Sequence, residues 1–214
     1  MALIKKDNIS NIKEDMDFKD HVTAQIIFKD IKNSDEQRLE ALNYLLETQT
    51  ISHILKIVNN LFSLNLVRNH IFIDTIFNSF TNTHRDKSEE DFRELLNTLK
   101  NDNVYLRNAC IKYLQESDED AVVFIEKLLQ DPNKDIRIFA VNILGDVRYD
   151  KSVEILRYFI AREEDVNAMM TAVDYLGEIG SEEDIELLES VKKSHSDDLY
   201  VNFGVDMAID RIKG

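Results

Sequence analysis

One pattern returns along this chain about every thirty residues: an arginine, a small residue three positions on, and a leucine four beyond that. It is clearest in the segment Asp131-Pro-Asn-Lys-Asp-Ile-Arg-Ile-Phe-Ala-Val-Asn-Ile-Leu-Gly145, where Arg137, Ala140 and Leu144 precede Gly145. Earlier stand Arg107, Cys110 and Leu114; later come Met169, Ala172 and Leu176, then Gly177. Arg38, Ala41 and Leu45 open the series, and Asn202, Val205 and Ile209 close it loosely. Arg68 and Ile71 keep two landmarks while Thr75 replaces the leucine, and the polar run Thr81 to Ser88 accounts for the longer step to Arg107. A unit of this length cannot bury its own apolar face. Units must therefore stack into a common core through nearest-neighbour contacts.

Each unit reads as two amphipathic helices. The first carries the landmarks, and the small residue lets it approach a neighbour closely. The second carries an apolar stripe at helical spacing: Phe92/Leu95/Leu99, Val122/Ile125/Leu128/Leu129, Val153/Leu156/Ile160 and Ile185/Leu188/Val191. Helix starts are marked by Ser34-x-x-Gln37, Ser88-x-x-Asp91, Ser117-x-x-Asp120 and Ser181-x-x-Asp184, a hydroxyl followed by an acceptor at capping-box spacing. The helix pairs are expected over 35–62, 64–101, 103–130, 133–161 and 164–193, with a last helix over 196–213. Phe18, Val22, Ile26, Ile27 and Ile31 predict a capping helix before the first pair, whereas Met1 to Met16 lacks such a pattern and is expected to be mobile. The organisation is thus an N-terminal segment with capping helix, 1–33, and a repeat domain, 34–214.

The scarcity of chain breakers agrees with helices. One proline and five glycines in 214 residues cannot supply the tight turns of a sandwich or barrel. Pro132 opens the best-matched unit, and Gly145, Gly177 and Gly180 are expected at or near the ends of first helices in the fourth and fifth units. A formal net charge of −15, with 25 acidic and 13 basic residues over 102–214, repels phosphate backbones and argues against a nucleic-acid partner. One cysteine excludes a disulfide framework. No secretory pattern or long apolar run is visible, so no membrane association and a cytoplasmic location are expected.

The run Asp135-Ile-Arg-x-x-Ala-x-x-x-Leu-Gly145, with its echoes at Arg107 and Leu176-Gly177, resembles HEAT repeats, closest to the bacterial kind in phycobilin lyase subunits and scaffold proteins. The resemblance is specific over 102–193 and weaker on either side. It implies an α-solenoid whose second helices line the concave side, and a general role in binding proteins. It implies no reaction, since fold does not fix function. The expected fold is an all-α, right-handed solenoid of five to six HEAT-like helix pairs.

No constellation of residues points to catalysis, a metal or another cofactor. His21, His53, His70, His84 and His195 are scattered, and no His-Glu pair of the iron-holding kind exists. Cys110 occupies the slot of Ala41, Ala140 and Ala172, which reads as a buried small hydrophobe rather than a nucleophile. No glycine-rich phosphate loop, nucleophile elbow or CxxC is present. Arg38, Arg68, Arg107 and Arg137 are expected to form a structural ladder with Asp35, Asp102, Asp131 and Asp135. From Glu163 to Glu189 there are ten acidic residues and no lysine or arginine. That stretch is either a solvated, helix-capping surface or a docking face for a basic partner.

A second stripe stands two residues past Val122, Val153 and Ile185: Phe124, Ile155 and Leu187, with Tyr158 one turn beyond Ile155. Lying off the core stripe, these residues either pack laterally between neighbouring second helices or form an apolar ridge. On the second reading, Phe124, Ile155, Tyr158 and Leu187 are the centre of a docking groove rimmed by Glu126, Glu154 and Glu186. The expected function is a non-catalytic adaptor or scaffold that holds another protein, one with a basic segment. The alternative is an accessory subunit for chromophore attachment, as in phycobilin lyases.

Overall fold

The structure, a computed structural model, describes residues 18, 20–63, 70–83, 87–117, 120–146 and 151–214. Met1 to Met16, Arg68 and the spacer of the box at Ser117 lie outside the described residues. Helices account for nearly all the regular structure among those described, in the order α1 (His21–Lys29), α2 (Asp35–Thr48), α3 (Ile51–Ser63), α4 (His70–Asn82), α5 (Glu89–Leu99), α6 (Val104–Gln115), α7 (Asp120–Leu128), α8 (Lys134–Asp146), α9 (Ser152–Ile160), α10 (Val166–Ile179), α11 (Ile185–Ser194) and α12 (Leu199–Lys213). A 3-10 turn, Glu182–Asp184, precedes α11. The chain divides into two compact units, Met1–Gln49 and Thr50–Gly214.

In the first unit α1 packs on α2. Asp20 caps α1 by accepting from the Thr23 amide at 2.7 Å. Ser34 and Gln37 form the expected capping box at the start of α2. Arg38 is buried there. It donates from Nε to the Phe28 carbonyl at 3.0 Å, lies 5.8 Å from the Phe28 ring and pairs with Asp35 at 3.6 Å.

In the second unit the first helices form one layer, with α4 against α6, α6 against α8, α8 against α10 and α10 against α12. Second helices form the other: α5, α7, α9 and α11 each pack on the first helix of the following unit, and α3 packs on α5. This is the packing of an all-α helical-repeat solenoid. The landmarks sit where the layers meet: Cys110, Ala140, Ala172, Leu114, Leu144 and Leu176 are all fully buried. Burial pushes the Cys110 thiol well above its ordinary pKa, which keeps it protonated and unreactive.

Gly145 and Gly177 lie in the last turns of α8 and α10, near the helix ends as expected, and there they have a packing role. A Cβ on Gly145 would overlap the Tyr175 ring, and one on Gly177 would stand 2.8 Å from the Ala208 Cα. Both glycines make room for the first helix of the next unit, whereas Gly180 caps α10. The reason is steric. Adjacent first helices meet at this level, and only hydrogen fits between them.

The arginine ladder is structural: Arg38 pairs with Asp35 as expected, while Arg107 and Arg137 bond to backbone carbonyls rather than to aspartate side chains. Arg107 Nη1 donates to the Asn101 carbonyl at 2.6 Å, and Arg137 Nη1 to the Asp131 carbonyl at 2.9 Å, each six residues back. Asn202, at the same repeat position, donates to the Ser196 carbonyl at 2.8 Å, again six back. In α6, α8 and α12 the position thus satisfies a carbonyl of the turn entering the helix, whereas α10 has Met169 there. Arg137 also clasps Glu163 through Nε and Nη2 at 2.6 and 2.7 Å. Lysines tie successive turns in the same rhythm, Lys100 to Asp131 at 2.9 Å and Lys134 to Asp165 at 3.3 Å.

Candidate functional site

The second helices begin with acceptors that serve two elements at once. Asp91 closes the capping box with Ser88 and also accepts from the Ser52 amide of α3 at 2.6 Å. Asp184 closes the box with Ser181 and pairs with Arg157 of α9. Burial alone would raise the Asp184 carboxyl, yet hydrogen bonds from Arg157 and Ser181 and the guanidinium charge hold it below the usual carboxylate range. These bonds tie α5 to α3 and α11 to α9.

The furrow between α7 and α9 encloses about 540 Å³. Its floor is Leu129, Ile155 and Phe159, with Tyr158, Glu126 and Glu154 around it. Four of the seven residues expected in a docking groove, Ile155, Tyr158, Glu126 and Glu154, therefore converge here. Tyr158 is 57% exposed. Arg162, one turn on, lies over its ring at 4.0 Å as a cation–π pair. Lys151 and Arg162 also line the furrow, so its rim carries both signs rather than acid alone. Glu163 reaches the same edge but is engaged by Arg137.

Phe124 is not part of this centre. It is 6% exposed, stacked on Phe92 of α5 with ring centroids 4.8 Å apart and planes at 27°. The lateral alternative holds at that position: Ala121, Phe124 and Leu128 bury a flank of α7. Phe124 instead forms a wall of a smaller hollow between α5 and α7, about 320 Å³, with Phe92, Leu96 and Val123. Leu187 is half-buried and Glu186 exposed on α11, and neither lines the two furrows. The sequence reading missed Phe159, Lys151 and Arg162. The Tyr158/Arg162 spacing of one helical turn was the visible signal for the last of these.

Of the ten acidic residues in the stretch, Glu163, Asp165 and Asp184 are built into the packing, and Asp174, Glu178 and Glu183 face cations at the exposed surface. Glu163 binds Arg137, Asp165 caps α10 and binds Lys134, and Asp174 and Glu178 face Arg211. Glu183 and Asp184 face Arg157. Glu164, Glu182, Glu186 and Glu189 remain exposed to solvent. Among the described residues, no three His, Cys, Asp or Glu side chains gather as metal ligands, and no helix is long and apolar enough to cross a membrane.

A solenoid layer with landmark arginines and alanines at this period can be compared directly with known repeat families. Residues 121–200 match the family model for HEAT repeats. The matched span runs from α7 to the first turn of α12 and contains both walls of the 540 Å³ furrow. The match supports a HEAT-repeat protein. HEAT repeats act generally as protein-interaction scaffolds and are generally non-catalytic. No curated protein matches the chain.

Proposed function

We propose that this protein is a non-catalytic adaptor that binds a segment of another protein across its second helices, with the furrow between α7 and α9 as the anchoring site. The observation that supports this most is Tyr158, a large aromatic side chain 57% exposed, with Arg162 over its ring, beside the apolar floor of Ile155 and Leu129. An exposed aromatic next to an apolar floor is the kind of side chain that dominates interfaces. Glu126 and Glu154 flank the anchor, while Leu187 and Glu186 on α11 extend the face.

The partner segment carries an apolar anchor with basic residues nearby. Its attraction comes from the summed field of a chain of net charge −15, while the mixed local rim of Glu126, Glu154, Lys151 and Arg162 selects the register. Field-driven steering acts on the association rate and is screened by salt; local contacts act on dissociation.

The test is affinity capture from the native host at low and moderate salt, comparing the unaltered chain with Tyr158→Asp and Ile155→Asp after circular dichroism has verified folding. Loss of the exposed aromatic should cost about 2 kcal/mol, a roughly thirtyfold weaker complex. An unchanged set of captured proteins with Tyr158→Asp would remove the furrow from the account. Visible tetrapyrrole absorbance in the captured complex would turn it toward the chromophore-attachment role that the resemblance to phycobilin lyases implies.

A further inference from the structure

The last helix exposes a position that α10, one repeat before it, buries. In α10, Met170 is 4% exposed because α12 lies across it, where Gly204 leaves space for the Met170 thioether: a Cβ there would stand 2.5 Å from its Cε. One repeat later the equivalent residue is Phe203, 69% exposed. Leu199, at 84%, and Met207 line the same strip, with Tyr200 on its margin, so four large apolar side chains cover about two turns of one helix face. Within the helix layer this is the surface against which α12 itself lies on α10. The shape it fits is another helix.

Two substitutions relative to α10 define what that helix must be. Val173 and Gly177, both buried under α12, correspond to Asp206 and Asp210. Gly177 permits the close approach of Ala208, and Asp210 in its place holds any arriving backbone farther off. A further helix of the same repeat type, with apolar and small residues at this level, would desolvate Asp210 and the Lys192–Asp206 ion pair and offer no donor in return. A second copy of this chain fits no better, since each copy carries a net charge of −15 and would bring its own Asp206 and Asp210 to the contact. Asp206 has one lysine beside it, Lys192 at 2.5 Å, and Arg211 on the opposite margin is held by Asp174 at 2.6 Å and Glu178 at 3.9 Å.

We infer that the outer face of α12, formed by Leu199, Phe203 and Met207 and edged by Asp206 and Asp210, is a second docking surface that takes an amphipathic helix of another protein whose apolar stripe is flanked by lysine or arginine. The two surfaces are on different helices and are separable by mutation. A basic helix satisfies both halves of the face: its apolar stripe covers Leu199, Phe203 and Met207, and its long cationic side chains span the extra distance that Asp210 imposes.

The experiment uses the full chain and two fluorescein-labelled fifteen-residue helical peptides, both with leucines at i, i+3, i+4 and i+7, one with lysines and one with glutamates on the flanks. Fluorescence anisotropy at moderate salt should give a dissociation constant at least tenfold lower for the lysine peptide. Phe203→Asp should weaken that binding at least tenfold even though it makes the protein more acidic, Phe203→Gln should weaken it similarly, and Tyr158→Asp should leave it unchanged. Binding that persists or tightens with Phe203→Asp would show bulk charge attraction alone and overturn the proposal. So would a concentration-dependent dimer in light scattering that Phe203→Asp dissolves, because the occupant would then be a second copy. A loss of peptide binding with Tyr158→Asp would move the contact to the furrow and likewise overturn it.

Discussion

Replacing Arg137 with methionine tests whether the ladder between units stabilises the solenoid. The side chain makes two charge-assisted hydrogen bonds to Glu163, whose side chain is 4% exposed, and a third to the Asp131 carbonyl. Methionine keeps much of the apolar stem but leaves a nearly buried carboxylate with the Asp165 amide as its remaining donor among those seen here. Breaking a fully buried pair costs about 3–5 kcal/mol. Arg137 is itself partly exposed, so water can replace some of its contacts and about 3 kcal/mol is the expected loss. For a chain of this length that corresponds to a fall in melting temperature of roughly 6–12 °C. The assay is thermal melting by circular dichroism in a double-mutant cycle with Glu163→Gln, in which the coupling should be about 1–2 kcal/mol. Burial by itself would raise the Glu163 carboxyl, but its hydrogen bonds from Arg137 and the Asp165 amide hold it below the ordinary range. The stability it contributes is present above the unfolded carboxylate pKa and fades as pH falls through the lower folded value. Arg137→Met should therefore also flatten the acid limb of the stability curve. A melting temperature within about 2 °C of the unaltered chain, with coupling under about 0.3 kcal/mol, would refute the ladder as a source of stability.

Two further outcomes follow from the packing. Gly177→Ala puts a methyl group 2.8 Å from Ala208 and should cost about 1–3 kcal/mol in chemical denaturation; a neutral result would mean that the α10–α12 contact relaxes freely. Asp184→Asn removes a carboxylate with a depressed pKa that joins α9 to the start of α11, so it should lower stability at neutral pH and much less below the folded pKa. Equal destabilisation at both pH values would assign its effect to packing rather than charge.

How much of this was readable beforehand differs by element. Every helix expected from the repeat and from apolar spacing is present among the described residues, and the boxes at Ser34, Ser88 and Ser181 form as their spacing predicts. The box at Ser117 and the landmark Arg68 lie outside the described residues. Helix periodicity, capping and the small-residue slot are decided within one or two turns of chain, so the sequence alone determines them. Lateral relations are not local. Phe124 and Ile155 hold equivalent positions, yet one is stacked against Phe92 and the other floors an open furrow, because a neighbour of different size stands beside each helix. Arg137 has aspartates close by in sequence but binds Glu163, which tertiary packing brings alongside from the next unit. The exposed strip on α12 could not be told from the buried one on α10 by composition; it is distinguished by what lies over it. The chain's own pattern thus determined the helices and their stacking unit. Only the tertiary structure decided which flank of each helix meets water, since that depends on the roll of helices a whole repeat apart.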